Sequence, residues 1–219
     1  MLTELLGRLF ERAGAEWILW FLLFLSVLSV TIIVHRALFH RRNTTDAADL
    51  TMRVTEGLSQ KGIAVLSSLS AEVPGMLGAV LRIAATTAPK GPEAVDESIQ
   101  GTIAVERIRY DRFLSVLGSI ASNAPFIGLL GTVIGVLNAF GQLAGALEGI
   151  SRAELVMGSI SEALVATAAG LAVAIPAVIA FNLFKRKTAV VVAESRAITG
   201  LVLAHMRGTD TGISTRGDS

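Results

Sequence analysis

The stretch Ala124-Pro-Phe-Ile-Gly-Leu-Leu-Gly-Thr-Val-Ile-Gly-Val136 decides the fold class. It carries no charge, and Gly128, Gly131 and Gly135 recur at helical spacing, so one side of a helix here is nearly bare backbone. Lipid gives helices no hydrophobic reason to associate, and small residues that let backbones approach are what pack them. Gly128, Thr132, Gly135 and Ala139 fall on neighbouring turns of one face, with Thr132 the hydroxyl on it. Pro125 removes a backbone donor and is expected to kink or loosen the start of the span. Taken alone, these residues describe a packing seam with a threonine bonded to its own backbone.

Outward from this stretch, the uncharged run extends from Phe113 to Leu147. As a helix it would reach about 52 Å at 1.5 Å per residue. That exceeds the ~30 Å hydrocarbon core of a bilayer, so the helix is expected to project past the membrane and pack on protein. Two further runs have the same character. Trp17 to Val34 carries no charge, and Leu155 to Phe184 carries a single one, Glu162. The 219 residues are 52% hydrophobic and only 17% charged, with a mean hydropathy of +0.63. A net charge of +1 gives no bulk attraction to nucleic acid, and the absence of cysteine excludes disulfides, thiol catalysis and Cys-ligated metals. No P-loop, paired catalytic carboxylates or nucleophile elbow occurs, so no catalytic residue, metal ligand or cofactor is expected. The reading is an all-α integral membrane protein with three transmembrane helices.

Basic residues orient it. Sixteen of the nineteen, including Arg36, Arg41, Arg42, Arg107, Arg109, Arg112, Lys185, Arg186 and Lys187, fall on one side of the three runs. Arg8, Arg12 and Arg152 fall on the other. The basic side is cytoplasmic by the positive-inside rule, which gives an N-out, C-in topology with Trp17 and Trp20 at the outer interface. The first run reads as a retained anchor rather than a cleaved signal peptide. Glu4, Glu11 and Glu16 precede it in place of a basic region, and His35-Arg-Ala-Leu-Phe-His-Arg-Arg42 follows it in place of a cleavage site.

Between the runs, Val54–Leu69 and Met76–Ala85 are compatible with helix, with Pro74-Gly75 as a turn and Pro89-Lys-Gly-Pro92 as a second break. From Glu93 to Arg112 the stripe Val95, Ile99, Ile103, Ile108 predicts a helix that runs on unbroken into the second span. A segment this short, made of short helices, buries little core alone, so it is expected to be the cytoplasmic ends of a helix bundle. Lys187–Met206 reads as a continuation of the third span, and Thr209–Ser219 as a disordered tail. His35, His40 and His205 read as surface residues rather than metal ligands.

The third run adds chemistry. Thr167, Gly170 and Ala174 line one face, and Pro176 can turn the register beyond it. Glu162 lies roughly 10 Å inside the run; burying an ionisable group there costs a few kcal/mol and points to function. Glu162 and Thr167 are about 140° apart on an ideal helix, so one narrow line need not hold both. Two such helices cannot enclose a pathway, but a closed ring of copies can. In it Thr132 and Thr167 could relay or solvate protons, with Glu162 gathering cations at the outer mouth.

Ala124–Val136 and Ile160-Ser-Glu-Ala-Leu-Val-Ala-Thr-Ala-Ala-Gly-Leu-Ala-Val-Ala-Ile-Pro-Ala177 closely resemble the MotA/TolQ/ExbB proton-channel family, in its three-span ExbB and TolQ branch. Ile134 stands where many members carry Trp. The resemblance implies a homopentameric ring in the bacterial inner membrane, with spans two and three lining a central pore and extending into the cytoplasm. It implies a single-span ExbD- or TolR-like partner whose intramembrane Asp carries the proton past Thr132 and Thr167, with Glu162 also in the lumen. A TonB- or TolA-like protein would then receive the force, as in TonB-dependent transport. On this reading the periplasmic N-terminus is 1–16 and the spans are 17–34, 113–143 and 155–184. The cytoplasmic segment is 35–112, the periplasmic loop 144–154, and the C-terminal helix and tail 185–219. A structural membrane scaffold and a self-sufficient cation channel using Glu162 are the alternatives.

Overall fold

A computed structural model describes residues 16–145 and 152–214. The expected outer segments, with Arg8 and Arg12 and most of the 144–154 loop, lie outside the described residues, as do residues 215–219. The described chain is all helical. Helix α1 is Glu16–Arg42, α2 Ala47–Lys61, α3 Val65–Glu72, α4 Gly75–Thr87, α5 Pro92–Asp111, α6 Leu114–Gly145 and α7 Arg152–Ser214. Short 3-10 turns, Gly62–Ala64 and Ala88–Lys90, join α2 to α3 and α4 to α5. Three helices, α1, α6 and α7, are long and apolar enough to cross a membrane. The helices α6 and α7 run through Pro125 and Pro176 without interruption, so neither proline ends its helix.

The chain forms two compact units. The first comprises residues up to His35 together with Phe113–Leu183. Its interior is built from Ile18 and Leu22 of α1, Leu117, Ile120, Ala124 and Ile134 of α6, and a row of alanines on α7: Ala163, Ala166, Ala174, Ala177 and Ala180. Large apolar side chains such as Trp20, Phe24, Phe126, Phe140, Leu164 and Ile179 face outward. That much apolar surface requires lipid or protein against it.

The second unit, Arg36–Arg112 with the chain from Phe184 onward, has a real core. Leu50, Val54, Leu66, Met76, Val80, Leu81, Val95 and Ile99 bury against Val192, Ile198, Val202, Leu203 and Met206 of α7. The short helices therefore do not stand alone: α7 supplies the wall that they could not build for themselves. Asp46 starts α2 by accepting from the backbone N–H groups of Ala48 and Asp49. Gly75 begins α4 at φ +72, where a side chain would also meet the Tyr110 hydroxyl and Asn43. That hydroxyl accepts from the Met76 N–H at 3.3 Å, satisfying one of the orphan donors at the start of α4.

Three expectations are corrected here. The helix from 93 to 112 does not continue into the second span. It stops at Asp111, Arg112 turns extended and Phe113 takes φ +64, a left-handed conformation that costs a non-glycine residue about 1–2 kcal/mol. The cause lies elsewhere in the sequence. Arg36, fully buried, donates to the carbonyl of Arg109 at 3.4 Å and to that of Tyr110, so the last carbonyls of α5 are capped by a side chain from the distant α1. The Phe113 ring packs edge-on against His35 with centroids 5.9 Å apart, and its carbonyl accepts the Leu117 N–H that opens α6.

Second, Ile108 is 74% exposed, and Tyr110, at 1%, takes the fourth place of the stripe. Seven residues after Ile103 brings Tyr110 to within about 20° of the buried line, whereas five leaves Ile108 about 140° away. Third, His40 is not a surface residue. It is 4% exposed, stacked on Phe184 at 5.4 Å and edge-on to Phe39 and Tyr110. Burial first, then the neighbouring Arg36 and Lys187, pushes its pKa down to about 4, so it is neutral at physiological pH.

Candidate functional site

The glycines of α6 meet the small residues of α7 along one seam. A methyl group on Gly128 would lie 2.8 Å from the Ala166 carbonyl oxygen and 3.2 Å from Gly170 Cα; one on Gly170 would lie 2.7 Å from the Ala124 oxygen. On Gly131 it would lie 2.5 Å from Ala166 Cβ, and on Gly135 2.6 Å from Ala163 Cβ. Ile18 of α1 closes over Gly131. Gly128, Gly131, Gly135 and Gly170 thus lie along one seam, and at each another backbone or an alanine occupies the space a side chain would take.

The two threonines lie at the edge of that seam. Thr167, half-buried, donates across the helix pair to the Gly128 carbonyl at 3.2 Å. Thr132, about 40° round α6 from Gly128, donates to its own Leu129 carbonyl at 2.7 Å. Each hydroxyl has one hydrogen and two lone pairs. With both hydrogens committed to backbone carbonyls, what remains on each oxygen is acceptor capacity. These groups can receive a hydrogen bond from a protonated acid, but a threonine hydroxyl does not titrate near neutral pH. Glu162 is exposed, on a different side of α7 from Thr167.

One polar feature was not read from the sequence. Ser115, Gly118, Ser119 and Ser122 of α6 and Phe181 and Asn182 of α7 line a cavity of about 440 Å³. Ser122 bonds back to the Ser119 carbonyl at 3.2 Å, and Asn123 donates to the same carbonyl at 2.8 Å. Ser119 lies about 180° from Gly128 on an ideal helix, so α6 has a hydroxylated side opposite its glycines. The signal was present as serines four and three residues apart; counting only charges passed over it. No group of three or more potential metal-ligating side chains occurs among the described residues.

A helical chain with three helices long and apolar enough to cross a membrane, a glycine–alanine seam and threonines at its edge defines a class, and comparison with known sequences places it. The pattern of the MotA/TolQ/ExbB proton channel family matches residues 82–197, more than half of the chain, and the chain belongs to that family. It is similar to the "Biopolymer transport protein ExbB" of Xanthomonas campestris pv. campestris, 37% identical over 102 residues. That alignment covers 47% of this chain and 40% of the relative. The protein of the same name from Neisseria gonorrhoeae is 47% identical over 90 residues, 41% of this chain and 40% of that one. The "Tol-Pal system protein TolQ" of Haemophilus influenzae is 41% identical over 101 residues, 43% of this chain and 42% of that one. The chain thus matches about two fifths of the length of these relatives.

Proposed function

We propose that this protein is the channel-forming stator subunit of a proton-driven membrane motor, assembled as a pentamer in the bacterial inner membrane with its N-terminus outside. The observation that carries the reading is the pair of threonine hydroxyls at the edge of the α6–α7 seam, both with hydrogens committed to backbone and lone pairs available. A proton pathway built from them needs a titrating carrier. The three expected spans contain one carboxylate, Glu162, and no Asp. The carrier is therefore an Asp on a single-span partner of the ExbD or TolR kind, its helix seated inside the ring. When protonated, that Asp donates to Thr132 or Thr167; when ionised, it loses this contact and turns away. Alternation between the two states turns a proton gradient into rotation of the partner helix, passed on to a TonB- or TolA-like protein. Glu162 concentrates cations at the outer mouth.

The test is proton flux in liposomes. Chain and partner together are expected to conduct, and Thr167→Val and Glu162→Ala to abolish conduction while the ring still assembles. Full flux in both variants would sink the assigned roles and leave a structural scaffold. Flux from this chain alone, lost in Glu162→Gln, would instead make it a self-sufficient channel.

A further inference from the structure

In the second unit, the end of α5 and the middle of α7 flank a half-open cavity of about 450 Å³ lined by Arg107, Asp111, Lys185, Thr188, Val192 and Arg196. Three cations face one carboxylate. Asp111 is shared by Lys185 at 3.4 Å and Arg107 at 3.9 Å, while Arg196 pairs with no carboxylate among the described residues. The charge therefore does not balance among the residues that line the cavity.

Two buried polar atoms are left over as well. Thr188 is 3% exposed and lines the cavity, yet its hydroxyl finds no hydrogen-bond partner among the described residues. Nearby on the same helix, Ser195 and Thr199 bond back to the carbonyls four residues before them at 2.8 Å, the usual solution for a helical hydroxyl. The other leftover atom is Asp111 Oδ1, buried and without a hydrogen-bond partner among the described residues. A hydroxyl and three cations want an anion rich in acceptors; a bare carboxylate oxygen beside them wants a donor.

We propose that this cavity binds a phosphate group, with Arg107, Lys185 and Arg196 supplying charge and Thr188 a hydrogen bond. A phosphate offers several acceptor oxygens to converging basic groups, and a hydroxyl or ammonium attached to it would satisfy Asp111. The third apolar run ends at Phe184, one residue before Lys185. On the three-span reading, on which the lipid source rests, Lys185 and Thr188 lie within about 6 Å of the hydrocarbon edge. That is headgroup depth, on the leaflet whose anionic lipids attract basic pockets. A phospholipid headgroup and free inorganic phosphate share this chemistry.

The experiment uses the full chain, delipidated in detergent. Native mass spectrometry counts bound phosphatidylglycerol against phosphatidylcholine, and calorimetry follows inorganic phosphate. Phosphatidylglycerol is expected to be retained over phosphatidylcholine. Arg107→Gln with Arg196→Gln should weaken that binding about 25-fold, taking about fivefold per basic residue. Thr188→Val, nearly isosteric, should weaken it about fivefold or more. Arg53→Gln, a cation of the same unit already paired with Glu72, should leave it unchanged. Binding of inorganic phosphate alone, lost in the same variants, supports the site with a soluble source. Equal retention of the two lipids, or binding indifferent to the variants, overturns the proposal. So does a change in oligomeric mass without a change in lipid binding, since the cavity would then be filled by a second copy. No partner enters this measurement, so its failure leaves the channel reading standing.

Discussion

Gly128→Ala adds one methyl group where the structure has no room for it. The new carbon would lie 2.8 Å from the Ala166 oxygen, 3.1 Å from Thr167 Cα and 3.2 Å from Gly170 Cα, all backbone atoms that no rotamer change can move. The α6 and α7 helices must separate, and overpacking of this kind costs about 1–3 kcal/mol. The 3.2 Å bond from Thr167 to the Gly128 carbonyl lengthens with them, which adds about 0.6 kcal/mol. Against this, alanine exceeds glycine in helix propensity by about 1 kcal/mol. The net expectation is a loss of about 0.6–2.6 kcal/mol. Gly200, in the middle of α7 with open space around its Cβ position, supplies the control. There Gly200→Ala should gain about 0.4–1 kcal/mol from propensity and chain entropy alone. Unfolding midpoints in mixed detergent–SDS micelles, followed by far-UV circular dichroism, should move in opposite directions for the two variants. If Gly128→Ala is as stable as the native protein while Gly200→Ala shows its gain, the helices are not in backbone contact and the seam is wrong.

Arg36→Ala takes this donor from the buried Tyr110 carbonyl and the part-buried Arg109 carbonyl, an expected loss of about 2–5 kcal/mol that Arg36→Lys recovers only in part. Thermal melts of the two variants check this. His40 titrates near 4 when folded and near 6.5 when unfolded, so between those values the unfolded chain binds the extra proton. Stability should therefore fall as pH drops from about 7 to about 4 and level off below, by up to about 3 kcal/mol. Melting temperatures at pH 7.5 and 5 should show the drop, and His40→Phe should flatten it. Thr167→Ser keeps a donor to the Gly128 carbonyl and should retain the proposed proton flux that Thr167→Val loses, measured with a pH-sensitive dye in the same liposomes.

Much of the membrane part was legible because its signals are local. The near-absence of charge from Trp17 to Val34, Phe113 to Leu147 and Leu155 to Phe184 marks the three apolar helices. Glycines three and four apart mark a face, and the structure puts a backbone or an alanine on it. What escaped the reading were features whose causes are distant. Nothing between Glu93 and Phe113 announces a break, because the residue that caps the end of α5 is Arg36. Nothing around His40 announces burial, because the ring that stacks on it belongs to Phe184, on the last helix of the chain. The serine-lined cavity escaped for a different reason. Hydroxyls do not interrupt an uncharged run, so a search for missing charge treats a polar side as apolar.

The buried guanidinium of Arg36 bears on how orientation in the membrane can be tested. Experiments that invert a membrane protein by moving positive charge assume each cation is an interchangeable counter on its own side. Arg36 is one of the sixteen so counted, yet it is also a strut between two segments, and Phe39 packs on its other side at 4.6 Å. Removing it would produce misfolded protein that an accessibility assay could mistake for a reversed one. Charge-shift experiments on this chain belong at Arg41, Arg42 and Arg186, which are exposed and can change sign without dismantling anything.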